Sequence, residues 1–263
     1  MRAVTLSVDP VFSKLKDNYV CGYSDISNKK YAGASGKHRP EQNAVHTTNG
    51  AGPHNVQIFV VAPDGVVLHC LPGYWKPEDL GDELEFAESI YEVWQNPNLT
   101  VTEKRQMFSE MNMAHIKEHD QSLAKRSRMQ GFDLDYEAKH NPRSDFFYNP
   151  AKVDSNTGQT PKENVKSVDV VLHERMARRP FVPYQHFDVE VFSSYGKLLY
   201  DKQEQFRLAD GSIGPGANLN DAPMIGNTPK AHPIKTGIKK TGGQIIQTTV
   251  NQAIRYGIRA IMP

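Results

Sequence analysis

The stretch VQIFVVAPDGVVLHCL, residues 56–71, decides the fold. Val56–Val61 is a near-continuous apolar run suited to a central strand. Pro63-Asp64-Gly65 is a turn, and Val66–Leu71 returns as an antiparallel partner. Downstream, Pro77 sits at a helix start, and Leu80, Leu84, Ala87, Tyr91 and Trp94 recur at helical spacing to about Gln95. That amphipathic helix is expected to cover one face of the sheet.

Upstream, Arg2–Leu6 reads as a short strand and Ser7–Pro10 as a loop that ends in a helix start. Val11, Phe12 and Leu15 share a helical face up to Asn18, and Tyr19–Tyr23 reads as a second strand. A strand-helix-strand unit this compact predicts a right-handed parallel crossover. Residues 24–52, rich in Gly, Ser, Asn and Lys, predict a long loop. Beyond Asn96-Pro97-Asn98, Thr100 and Glu103 have capping-box spacing, and a helix is expected to run to about Gln130. Thr160-Pro161-Lys162-Glu163 is another capping signature, predicting a helix to Arg179. Phe187–Tyr200 and Gln244–Arg259 are read as helical, separated by a Gly- and Pro-rich segment at 205–243.

The order of these elements resembles the thioredoxin-like superfamily. The residues that carry the likeness are TLSVDPVFSKLKDNYVCGY (5–23), GAGPHNVQIFVVAPDGVVL (50–68) and the helix opening KPEDL (76–80). The resemblance implies an α/β fold: a thioredoxin-like domain over residues 1–95, a long helical segment over 96–140, and a helical and loop-rich extension over 141–263. In that family a cis proline precedes the central antiparallel strand and lies against the active-site loop; Pro53 holds the matching position. The family's CxxC dithiol falls where this chain has Ser7-Val8-Asp9-Pro10, so neither sulfur is present and the dithiol–disulfide cycle has no chemical basis in this loop. The resemblance would bring Ser7, Asp9, Cys21, Asp25, Pro53 and His54 to one crevice, with Cys21 as the candidate reactive group. The competing reading makes Cys21 a buried strand residue and His54 a surface loop residue.

The chain has 263 residues, 31 Lys plus Arg against 30 Asp plus Glu, and 38% hydrophobic residues. Its mean hydropathy of −0.59 is polar for a globular protein. The balanced charge supplies no global field to recruit nucleic acid or an anionic membrane, so a nucleic-acid partner is not expected. The longest apolar stretches, such as Val56–Ala62, fall far short of the ~20 residues of a membrane span. No signal-peptide core occurs in residues 1–20, so the expectation is a soluble protein, cytoplasmic or exported after removal of a leader. Two cysteines, Cys21 and Cys70, are too few for a disulfide framework. They pair, join histidines at a metal, or lie buried and inert. Strand alternation puts His69 and Cys70 on opposite sheet faces.

His115 and His119 are four residues apart on the predicted long helix and share a face, as two metal ligands on one helix must. Met111 and Met107 continue that stripe, giving a composition compatible with copper as well as zinc, although a Met stripe at this spacing is more often core filling. No GxSxG, GxxxxGK[ST] or GxGxxG motif occurs. The reading is a non-catalytic binding or assembly component, meeting a protein partner or a second copy of itself through residues 205–243. The alternative is a thiol-redox or soft-metal-handling protein that uses Cys21 beside the Pro53 crevice.

Overall fold

A computed structural model describes residues 4–35 and 47–200. It is a mixed α/β structure in which helices dominate. In chain order the elements are α1 (Val11–Asn18), β1 (Ala34–Ser35), β2 (Gln57–Val61), β3 (Val67–Pro72), α2 (Pro77–Gln95), α3 (Val101–Glu118), α4 (Gln121–Arg126), α5 (Gly131–His140), α6 (Val168–Ala177), α7 (Val189–Phe192) and β4 (Leu199–Tyr200).

The hairpin forms where the sequence puts it. β2 and β3 pair antiparallel, Ile58 opposite Leu71 and Phe59 opposite Cys70, with an irregularity between Val60 and Val61. Gly65 closes the turn at φ +84, a conformation that only glycine adopts without strain. Every residue of β3 is buried. α2 then starts with Pro77 in its first turn, and Glu78 and Asp79 complement the positive end of the helix dipole. Leu80, Leu84 and Ala87 are buried, while Tyr91 and Trp94 are half-buried against the core.

The parallel crossover does not form among the described residues. Thr5 and Leu6 lie in a turn and Tyr19–Tyr23 is irregular. Val20 and Tyr23 are strongly exposed, so this segment lacks the burial that favours a strand. The parallel pair that does occur is two residues long, Ala34–Ser35 beside Leu199–Tyr200. The cis X-Pro bond among the described residues is Asp9–Pro10 rather than the bond before Pro53.

The long helix expected after residue 100 is divided. Its start is a complete capping box: the Thr100 side chain accepts from the Glu103 amide, and the Thr100 amide donates to the Glu103 carboxylate at 2.8 Å. α3 stops at Glu118 because Asp120 opens a new helix, accepting the Leu123 amide at 2.6 Å. A third helix, α5, follows after a break. The Thr160 signature yields only a 3-10 turn at Lys162–Asn164, and α6 begins at Val168. The helix expected over Phe187–Tyr200 is confined to α7. The expected helix at Gln244–Arg259 and the partner segment at 205–243 lie outside the described residues.

α2 and α6 pack on β3, and α3 packs against both helices. Trp75, Leu71, Leu80, Leu84, Ile90, Phe108, Leu172 and Met176 fill the space between them. Among the described residues no helix is long and apolar enough to cross a membrane.

Candidate metal centre

Polar side chains gather within this interior where α2, α3 and α6 meet. α3 brings His115 and, just past its end, His119; α2 brings Glu83; α6 brings His173. One ligand atom from each of these four residues lies within 4.8 Å of the others. Glu83 and His173 are fully buried, and the side chain of His115 is 17% exposed.

The hydrogen bonds around the cluster settle which atoms face it. The Asn112 amide Nδ2 donates to the Phe108 carbonyl at 2.9 Å, so its Oδ1 is the atom 2.9 Å from His173 Nδ1. His173 Nδ1 therefore carries a proton, and Nε2 is the nitrogen that faces Glu83, 3.2 Å from Oε2. In the neutral ring this sets two acceptors against each other, which only a proton or a metal ion between them satisfies. His119 Nδ1 donates to Asp169 Oδ2 at 2.7 Å, which in the neutral ring leaves the lone pair on Nε2. That buried nitrogen has no hydrogen-bond partner. His115 Nε2 is 3.8 Å from Glu83 Oε2, while its Nδ1 is 3.8 Å from Glu118. His69, on β3, donates from Nε2 to Glu83 Oε2 at 2.9 Å and holds that carboxylate in place.

Burial pulls His115 down, Glu83 opposes this and the neighbouring histidines add to it, leaving the ring at about 4. His69 is likewise lowered, by burial first. Burial alone would raise Glu83, yet His173 and His69 outweigh it and hold the carboxyl well below its usual range. For His119 burial acts downward, but the hydrogen bond and charge of Asp169 prevail and the ring is raised. The centre therefore contains an ionised buried carboxylate.

Three imidazoles and one carboxylate are a donor set suited to a divalent transition ion. Zinc bonds of 2.0–2.2 Å in a tetrahedron separate the donors by about 3.3 Å; the 3.2 and 3.8 Å spacings from Glu83 to His173 and His115 bracket that value. The outer contacts match what metal ligands require, since a carboxylate or amide on the second ring nitrogen fixes tautomer and orientation. Asp169 does this for His119 and Asn112 for His173. Phe86 stacks on His115 at 4.3 Å, adding an apolar wall.

The spacing of His115 and His119 was legible in the sequence. Glu83 and His173 were missed because they come from other helices. A signal existed: Glu83 falls three residues after Leu80 and four before Ala87, an acid on an apolar face, and Asp169 and His173 share a face of α6. Met111 and Met107 are half-buried and pack against the hydrophobic core; the four donors are complete without sulfur.

The residues of the expected crevice are engaged by neighbours outside that set. Asp9 accepts from the Ser13 amide and hydroxyl on its own helix, and Ser7 belongs to the same turn. Exposed Asp25 accepts from Ser27, which lowers its carboxyl. The Pro53 carbonyl accepts from Gln57 at 2.6 Å. His54 lies between the carbonyls of Tyr31 and Tyr195, at 3.0 and 3.1 Å, and braces two distant loops. Cys21 is half-buried, its thiol donating to the Leu15 carbonyl at 3.7 Å and pushed up by burial, the opposite of what a reactive thiolate needs. Cys70 is buried and raised further, and both cysteines are free.

No protein-family model, curated protein or solved structure matches this chain. The fold and the cluster thus stand by themselves: a mixed α/β chain whose interior gathers three histidines and a glutamate that could hold a metal ion.

Proposed function

We propose that this is a metal-binding protein whose Glu83, His115, His119 and His173 hold a divalent transition ion, zinc ahead of copper, as a structural staple between α2, α3 and α6. The observation that carries the reading is His119: Asp169 takes one ring nitrogen, and the other is buried without a partner. Zinc is preferred because the donors are imidazole and carboxylate with no sulfur among them. Four protein ligands complete a tetrahedron, the arrangement of structural rather than catalytic zinc. When bound, the ion would supply cross-linking energy and not a reactive water.

The stapled body serves as a non-catalytic binding or assembly component. The hairpin and the helix after it support reading it as a divergent thioredoxin-like protein without the dithiol and with a reduced sheet. Elemental analysis of protein purified without chelator is expected to find one zinc per chain. Cobalt(II) titration of the stripped protein should give the visible absorption of a tetrahedral nitrogen–oxygen site, and His119→Ala and His173→Ala should abolish it. Absence of both stoichiometric metal and a saturable cobalt spectrum in the native chain would overturn the proposal.

A further inference from the structure

Beyond the end of α6 lies a cavity of about 380 Å³ lined by Asp145, Arg175, Arg178, Arg179 and Val191. Three guanidinium groups within five residues face one carboxylate, and that carboxylate is already committed. Asp145 receives Arg175 in a two-bond fork, 2.6 and 2.9 Å. Arg175 spends its remaining nitrogen on the Phe192 carbonyl at 2.6 Å and approaches Ser194, so it forms a satisfied, buried floor. Glu174, the next acid, is held by Lys166 at 2.7 Å and stands 3.7 Å from Arg178. The negative end of the α6 dipole is met by Arg179, which donates Nη1 to the Arg175 carbonyl at 2.7 Å and lies over the Phe192 ring. Arg178, its side chain 61% exposed, and the outer edge of Arg179 exceed what the fold needs. Burial and the charges of Arg175 and Arg178 lower Arg179 against the opposing charges of Asp188 and Asp145, a like-charge cost that a bound anion relieves.

The geometry points to an anion site at which Arg178 and Arg179 bind a phosphate group. Guanidinium forks match the oxygens of a tetrahedral oxyanion, and the exposed Val191 beside them offers an apolar wall to the organic part of a small phosphate ester. The site is independent of the metal reading, because it shares none of the four metal donors.

The test is titration of the protein as isolated with inorganic phosphate and with phenyl phosphate, at constant ionic strength, followed by amide chemical shifts. Saturable one-to-one binding is expected, weakened about tenfold or more by R178Q/R179Q and less by R178K, since charge-assisted bonds are lost in the first and charge is kept in the second. Phenyl phosphate binding more tightly than phosphate identifies an ester as the ligand, and equal affinity identifies the free ion; either supports the site. Should the double variant disturb the fold, R178Q alone carries the test. Shifts that never saturate, or saturate equally in the Arg178 variants, as phosphate bound at the metal centre would, overturn it.

Discussion

At the scale of single residues, the chemistry of this protein depends on which ring nitrogen holds a proton. Asp169 fixes that choice for His119. Asp169→Asn keeps an acceptor in place but removes the charge, and is expected to weaken zinc or cobalt affinity about 10- to 100-fold while leaving the helical circular dichroism unchanged; an unaltered affinity in a competition titration would mean that Asp169 has no part in holding the ligand. Asp145 gives a second case. Burial works against its ionisation, but Arg175 outweighs it and lowers the carboxyl. The unfolded carboxyl titrates near about 3.9, so the pair's contribution is fully present above that pH and is lost as pH falls through the lower folded value. Asp145→Asn leaves Arg175 buried without its counter-charge and should cost about 3 kcal/mol in urea unfolding at neutral pH, with a shallower decline of stability in acid.

The residue scale also shows where sequence reading stops. His115 and His119 announce themselves because helical spacing is local. Glu83 and His173 do not, since their convergence depends on how α2 and α6 pack on α3, which no local pattern encodes.

Among the elements, several with local signals formed as read. The 63–65 turn, the hairpin, the Pro77 start and the Thr100 capping box are each specified by a few neighbouring residues. Thr100→Ala removes the hydroxyl that accepts the Glu103 amide and donates to its carboxylate, leaving only the backbone half of the box, and should cost about 1 kcal/mol of stability by denaturant melting. Others departed from the reading, for want of a partner or because a second local signal intervened. Tyr19–Tyr23 has strand-like composition but no adjoining strand among the described residues, and the 100–130 helix yields to the cap at Asp120. A tighter constraint lies at Gly73, φ +80, where an added Cβ would come within 2.5 Å of the Gly50 backbone. Gly73→Ala is expected to destabilise more than Thr100→Ala, because backbone on both sides must shift; equal melting temperatures for the two variants would show that the crossing yields easily.

For the whole molecule, the interior between α2, α3 and α6 carries an ionised carboxylate and four histidine rings where apolar packing would otherwise be continuous. An ion that binds only the folded form stabilises it by mass action. The melting temperature should therefore rise with free zinc and fall on treatment with a strong chelator, and the His173→Ala protein should respond to neither. A native protein indifferent to both would leave the histidines as a hydrogen-bonded cluster without an ion.

Glu83 and His173 stand 90 positions apart, and that separation sets a timetable for biosynthesis. A nascent chain leaving the ribosome presents the glutamate first, then the α3 pair, and only much later the last imidazole. Until then the donor set is short of one member, so on the proposed metal reading an ion captured early would lack its fourth ligand. On that reading the emergence of α6 would pace maturation, and a chain stalled before it would be released without its clasp.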